Sequence, residues 1–169
     1  DSLEKLKKRR YAVMMQPGYA WIDKRYLHTY TRFLPEEIVK RLKFKTLYDA
    51  GICLCGSSDS PVQDLNPYLQ MMGMVDFYTP EESVTAFEAF RTYTSNAAKA
   101  ILEDDEYGTL ETGKHADFFI ADKNFFELDA DGVRDFRPSK TYYGGKPYRE
   151  KNGSVPELIK MMMTKGHKV

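Results

Sequence analysis

Two predicted strands joined by a helix constrain the fold of this chain most. Residues 11–16 predict a buried strand, and residues 52–55 predict a second strand in which every residue is apolar. Residues 35–50 between them predict a helix. Its apolar stripe consists of Ile38, Val39, Leu42 and Leu47. This order predicts parallel strands with covered faces, and such strands need further neighbours. The chain offers no other strands of this type, so we expect a piece of a larger α/β fold.

The rest of the chain is predicted to be mainly helical up to residue 102 and to form short strands after it. Residues 17–31 lack clean periodicity and predict a long loop with one helical turn near residues 24–28. Residues 68–75 predict a Met-rich helix that fills the core. A capping box is predicted at residues 79–82 and opens a helix with Val84, Phe87 and Phe90, and a second helix is predicted at 95–102. Strands are predicted at 117–121 and 141–143, with a hairpin turn at Gly144-Gly145. A final helix is predicted from Ser154 to Met163.

Composition argues against nucleic acid and membranes as partners. Lys and Arg total 25 and Asp and Glu total 25, so no overall field attracts either surface. No apolar stretch is as long as a membrane span, and nothing resembles a signal peptide. Cys53 and Cys55 are interpreted as small buried hydrophobes, which favours a reducing, cytoplasmic compartment. Because the chain begins at Asp1 rather than Met, a lost targeting segment is compatible with the sequence.

Asp59 is the residue best suited to chemistry. It follows the predicted strand 52–55 at its carboxyl end, the edge where parallel α/β folds collect catalytic groups. The neighbouring serines offer donors that hold a carboxylate ionised, and such a carboxylate ligates a cation or takes a proton from water. An alternative remains open from the residues alone, because Ser-Asp-Ser-Pro also suits an Asx turn before Pro61.

Several segments resemble the amidohydrolase superfamily, specifically the branch called amidohydrolase family 3. Residues 50–62 are similar to its last barrel strand with the Ser-Asp-x-Pro-Val signature, and Gln16-Pro17 to the end of the preceding strand. Residues 90–98 resemble a helix-joining segment, and residues 142–148 resemble the closing hairpin. The most specific match is the Gly-x-Leu-Glu-x-Gly-Lys-x-Ala-Asp-Phe block at residues 108–118.

The resemblance implies an α/β fold that comprises the last strands and helices of a (β/α)8 barrel and the C-terminal segment of a small composite β-sandwich. The corresponding boundaries are 1–103 for the barrel part, 104–150 for the sandwich segment and 151–169 for a helical tail. The implied activity is metal-dependent hydrolysis of non-peptide carbon–nitrogen bonds in small amide-type molecules, with a divalent metal, usually zinc.

The resemblance also implies roles for individual residues. In that family the aspartate at the position of Asp59 binds the metal, activates the hydrolytic water and passes its proton to the leaving amine. Gln16, Tyr19 and Trp21 would lie near the same rim and are expected to contact substrate. The two aromatic residues would equally suit covering the end of a barrel.

The histidines of the family's metal site are absent from this chain. His28, His115 and His167 do not lie at matching strand ends, and Tyr19 stands where the family commonly has histidine. One carboxylate does not hold zinc tightly, because zinc sites use three or four protein ligands.

The missing ligands leave two hypotheses of different class. The first is a catalytically incomplete piece that binds metal weakly or not at all and requires a missing N-terminal portion of the same protein. The second is a non-catalytic folding or assembly module that pairs with another chain, as a homo-oligomer or by swapping.

Overall fold

The structure is a computed structural model that describes residues 2–9, 11–35 and 42–148. The helices are α1 Ser2–Arg9, α2 Gly18–Phe33, α3 Phe44–Asp49, α4 Pro67–Val75, α5 Ala86–Tyr93, α6 Ser95–Ala100 and α7 Ala130–Asp135. The strands are β1 Ala12–Met15, β2 Cys53–Gly56, β3 Phe118–Ile120, β4 Lys140–Tyr143 and β5 Lys146–Pro147, and short 3-10 turns occur at Pro80–Glu82 and Phe125–Glu127. The predicted stripe residues Ile38 and Val39 and the predicted final helix lie outside the described residues.

The predicted parallel pair is confirmed. β1 and β2 are hydrogen-bonded in parallel, with Met15 opposite Gly56. One face of the pair packs on the core through Leu54, which is fully buried. The prediction that both faces are covered is wrong for β1, because Met14 on the other face is 55% exposed. Within the described residues these two strands pair only with each other.

The core lies between the pair and the helices that follow it. Met71, Met72 and Met74 of α4 are buried there, which confirms their predicted role as core residues. Phe44 of α3 packs edge-on against Phe77, with ring centroids 5.0 Å apart. α3 is thereby joined to the segment that follows α4.

The prediction of a long loop after β1 is wrong. Residues Gly18–Phe33 form the 16-residue helix α2. Its described side chains show no wide buried apolar stripe: Ala20 is fully buried, whereas Tyr26 and Phe33 are 48% and 74% exposed. A narrow contact of this kind leaves no clear 3.6-residue period in the sequence.

The predicted helix over residues 35–50 is wrong at residues 42 and 43, which are not helical, and α3 begins at Phe44. The capping box predicted at Thr79 belongs instead to Thr85, whose hydroxyl and backbone exchange hydrogen bonds with Glu88. The Glu82 carboxylate is drawn away by Thr46, whose backbone N–H donates to it at 2.9 Å.

The C-terminal strands form an antiparallel sheet in the order β3-β4-β5. Gly144 and Gly145 join β4 to β5 with φ values of 56° and 73°, which confirms the predicted two-residue hairpin. Phe118 and Tyr142 stack across β3 and β4 at 4.6 Å. Among the described residues no helix combines the length and apolar character needed to cross a bilayer.

α4 approaches the junction of β1 and α2 closely enough to require glycine. A Cβ atom on Gly73 would overlap the carbonyl oxygen of Pro17. The obstacle is backbone, so it does not move aside as a flexible side chain would. This contact sets the depth at which α4 packs beneath the end of β1.

We therefore expect Gly73→Ala to lower the free energy of unfolding by about 1–3 kcal/mol. Urea denaturation of the wild-type and variant chains measures this difference. Gly132→Ala is the control, because the nearest atoms there are side-chain atoms at 3.1 Å and more from a new Cβ. A Gly73→Ala chain as stable as the wild type would show that α4 does not pack in the described position.

Candidate active-site rim

The carboxyl ends of β1 and β2 meet at one edge and are tied together there. The backbone N–H of Ser57 donates to the carbonyl of Met15 at 2.8 Å, which continues the parallel pairing past the end of β2. Gln16 Nε2 donates to Ser57 Oγ at 3.2 Å. The residues that follow each strand therefore form one continuous rim, as the parallel arrangement predicts.

Asp59 and Tyr19 face each other across this rim. Tyr19 Oη donates to Asp59 Oδ2 at 3.3 Å, and Asp59 is exposed. Asp59 has a φ of 55°, a left-handed conformation that aspartate tolerates better than most residues. Its backbone carbonyl accepts the turn hydrogen bond from Val62 at 2.9 Å. The Asx turn considered before Pro61 would be closed by the Asp59 side chain; instead a backbone turn spans residues 59–62, and the carboxylate accepts from Tyr19.

The serines act differently from the prediction. They were expected to hold the Asp59 carboxylate, but Ser57 Oγ donates to the Met15 carbonyl at 3.4 Å and accepts from Gln16. Ser57 therefore joins the two strand ends, and Tyr19 takes the place expected of the serines.

Partial desolvation, and then the charge and hydrogen bond of Asp59, raise the pKa of the Tyr19 phenol above its usual value. The phenol consequently stays protonated near neutral pH and acts as a donor towards Asp59. A protonated donor beside an exposed carboxylate provides both a hydrogen-bond donor and a proton acceptor at the same edge.

Trp21 is placed apart from this pair. It lies two residues after Tyr19 on α2, and residues with that spacing point to opposite sides of a helix. Its side chain is 36% exposed. The structure thus brings Gln16 and Tyr19 to the Asp59 loop and leaves Trp21 outside it.

Tyr93 also contacts the rim, although the sequence alone does not identify it as a residue of the site. A Cβ on Gly56 would overlap the Tyr93 ring, and Tyr93 Oη donates to the carbonyl of Ser57 at 3.4 Å. Burial raises the pKa of Tyr93 well above its usual range, so this phenol also remains a donor. The only sequence signal was Gly56 itself, which marks a close approach without naming the partner.

The described residues contain one candidate metal ligand at the rim. They include no group of three or more histidine, cysteine, aspartate or glutamate side chains placed to hold an ion. His115 is exposed and stacks on Tyr107 at 4.5 Å, which confirms its predicted solvent-facing position. His28 is exposed on α2, and His167 lies outside the described residues. Asp59 alone does not fit a zinc ion, which needs three or four ligands.

The block at residues 108–118 has a structural role. Lys114 Nζ donates to the carbonyl of Asp104 at 2.6 Å and to Thr109 Oγ1 at 2.7 Å. Asp117 Oδ1 accepts from the backbone N–H of Gly144 at 2.6 Å, which attaches the hairpin to the start of β3. These contacts give Lys114 and Asp117 of the Gly-Lys-x-Ala-Asp pattern a role in the shape of the loop.

An apolar groove of about 1080 Å³ lies next to the rim. Met14, Phe87, Phe126 and Leu110 line it, and the lining does not include Asp59 or Tyr19. Each of these four side chains is about half exposed or more. Gly56 and Tyr93 also line the groove, so it borders the rim, but the Asp59–Tyr19 pair lies outside it.

The chain is similar in sequence and fold to known proteins. A family model described as amidohydrolase family matches residues 1–148. N-substituted formamide deformylase from Arthrobacter pascens is 31% identical over 126 residues, which cover 70% of this chain and 23% of that protein.

Two solved structures resemble the fold. An uncharacterized metal-dependent hydrolase from Pyrococcus furiosus is 28% identical with a TM-score of 0.59, over 69% of this chain and 24% of that chain. A second, from Pyrococcus horikoshii, is 23% identical with a TM-score of 0.64, over 78% of this chain and 28% of that chain. The chain thus spans about a quarter of the length of these proteins.

Asp59→Asn is expected to lower the pKa of Tyr19 towards that of an ordinary phenol, because the substitution removes the negative charge that disfavours tyrosinate. NMR titration of tyrosine carbon-13 resonances measures this change. Tyr19→Phe serves to identify the affected resonance. An unaltered titration in Asp59→Asn would mean that the two side chains do not meet in solution.

Proposed function

The chain belongs to the amidohydrolase family, and from that membership we propose that it is the C-terminal part of a metal-dependent hydrolase of carbon–nitrogen bonds. The proposed substrate is a small amide-type molecule rather than a peptide. The observation that carries the proposal is the exposed Asp59 carboxylate at the shared carboxyl edge of β1 and β2. The resemblance to N-substituted formamide deformylase supports the bond type.

Asp59 is the proposed proton carrier of the reaction. An exposed carboxylate at a strand end is placed to accept a proton from the attacking water and return it to the leaving amine. Tyr19 holds one carboxylate oxygen through its hydroxyl and leaves the other oxygen available for this transfer. Gln16 and Tyr19 are the proposed substrate contacts, because they lie at the Asp59 loop.

The proposed complete protein contains a divalent metal, with zinc as the expected ion and Asp59 as one ligand. The described residues do not fit the ion alone, because they supply a single carboxylate where three or four ligands are needed. The other ligands are therefore proposed to come from the N-terminal portion of the same protein.

The same proposal accounts for the open sheet. β1 and β2 would be the last two strands of a (β/α)8 barrel within residues 1–103, and residues 104–150 would be a segment of a composite β-sandwich with 151–169 as a tail. Parallel strands in such barrels have neighbours on both edges. The exposed Met14 on β1 supports the expectation that a further element covers this face.

In a metal-loaded hydrolase that contains this chain, Asp59→Asn is expected to reduce kcat by about 100-fold or more, because the proton carrier is lost. Steady-state hydrolysis of N-substituted formamides and zinc content are measured together. Asp64→Asn is the matched control, since Asp64 lies in the same loop and its Oδ1 accepts from Asn66, which an amide oxygen also does. Unchanged turnover in Asp59→Asn would show that Asp59 is not the proton carrier.

A second candidate function is a non-catalytic assembly module, and the exposed apolar groove favours it. Met14 and Leu110, which are 55% and 72% exposed, line a surface large enough to receive another chain. This candidate needs neither a metal nor Asp59.

The chain alone discriminates between the candidates by its mass and metal content. A module is expected to elute as a dimer or larger species without stoichiometric zinc, and Met14→Lys is expected to weaken the association because it buries a charge. Size-exclusion chromatography with light scattering and metal analysis measures both. One zinc ion per monomeric chain would refute the module.

A further inference from the structure

Gln70 is a fully buried polar residue on the core side of α4. Burial of an amide costs free energy unless its groups are hydrogen-bonded. Its Oε1 accepts from the backbone N–H of Gly18 at 2.7 Å. Its Nε2 donates to the carbonyl of Asp64 at 3.2 Å and to Gln63 Oε1 at 3.4 Å. One side chain therefore joins the first residue of α2 to the loop that carries Asp59.

The orientation of this amide is determined by its partners. The Gly18 N–H is only a donor, so the oxygen of Gln70 must face it. The nitrogen then necessarily faces the loop, where the carbonyl of Asp64 is only an acceptor. A flipped amide would place donor against donor and acceptor against acceptor.

The backbone makes room for this connection. A Cβ on Gly18 would overlap the amides of both Gln63 and Gln70. On α4 itself, Gly73 lies so close to the Pro17 carbonyl that no side chain would fit between them. α4 is thus held against the start of α2 by two glycines, one on each partner.

Gln63 shows which residue controls the geometry. Its side chain is 9% exposed, and its Nε2 has no hydrogen-bond partner among the described residues. Its Oε1 nevertheless faces Gln70. The Gln63 side chain is therefore oriented by the hydrogen bond that it accepts from Gln70, whereas Gln70 also bonds Gly18 and Asp64. Gln70 is thus the residue that connects the loop to α2.

We propose that Gln70 is a positioning residue that locks the Asp59 loop to the first turn of α2. Tyr19 follows Gly18 directly, so the same lock holds the two sides of the Tyr19–Asp59 hydrogen bond at their distance. The lock is a property of the fold, and its consequence for catalysis rests on the proposed function.

Gln70→Met tests the lock, because methionine keeps the length of the side chain and removes both hydrogen-bonding groups. Amide hydrogen exchange is measured in the whole 169-residue chain. We expect exchange about tenfold faster at Gly18 and Val62, with Ala89 of α5 changed by less than about twofold. Equal acceleration at all three amides, or no acceleration at Gly18 and Val62, would overturn the proposal.

Gln70→Glu separates the two halves of the lock. It keeps an acceptor for the Gly18 N–H, and a carboxylate is favourable at the N-terminus of the long helix α2. It loses the donor to Asp64. We expect Gly18 to stay protected while Val62 exchanges about tenfold faster. Loss of protection at Gly18 with Val62 unchanged would contradict this division.

Gln63→Met is the matched control for both variants, since it removes an adjacent buried amide that the proposal treats as dependent. Gly18 exchange is expected to change by less than about twofold. Acceleration at Gly18 as large as in Gln70→Met would assign the lock to Gln63 and overturn the role of Gln70.

In a metal-loaded hydrolase that contains this chain, Gln70→Met is expected to lower kcat by about 10- to 100-fold, with KM changed by less than about threefold and zinc content constant. If Gln70→Met is fully active while Asp59→Asn is inactive, the positioning role of Gln70 is refuted and the proposed function stands. If Asp59→Asn is itself active, the proposed function fails while the exchange result still decides the lock.

Discussion

Parallel pairing of β1 with β2 is the interaction on which the rest of the structure depends. Its register, with Met15 opposite Gly56, brings Gln16 and Ser57 to the same edge, where their side chains bond. A one-residue slip would turn alternate side chains to the other face and remove Leu54 from the core. The position of Asp59 therefore follows from backbone pairing three residues before it.

The loop that carries Asp59 is then secured at both ends by residues from later helices. Tyr93 of α5 reaches the Ser57 carbonyl at its beginning, and Gln70 of α4 reaches Asp64 near its end. Both contacts depend on glycines, Gly56 and Gly18, that leave space for large side chains. Close packing against glycine gives a loop with a positive-φ residue a defined conformation, which a flexible connection would not maintain.

The sequence predicts those parts of the fold that depend on local pattern. The apolar run of β2 and the Gly144-Gly145 turn are each specified by residues adjacent in sequence, and both predictions are confirmed. The position of Asp59 after a predicted strand is sufficient to place it at the carboxyl edge of the sheet. Its partner Tyr19 was recognised as a residue near the rim but not as its hydrogen-bond donor.

The errors share one cause, which is the influence of residues far away in sequence. Thr79 and Glu82 have the spacing of a capping box, yet the Glu82 carboxylate bonds Thr46, 36 residues earlier. α2 is a helix although it lacks a clear stripe, because its tight contact is the Gly18 amide with Gln70, 52 residues later. Such contacts exist only after the chain has folded, so no local window of sequence contains them.

The exposure of Asp59 explains how the described residues hold this carboxylate, the proposed proton carrier, without a cluster of metal ligands around it. A carboxylate buried without a counter-charge would cost several kcal/mol, about enough to unfold a marginal domain. Here the group stays in contact with solvent and has Tyr19 as a neutral donor, so no ion is needed to stabilise it. In the proposed complete barrel, enclosure of the same carboxylate would remove that solvent, and a cation or further donors would then be needed to stabilise its charge.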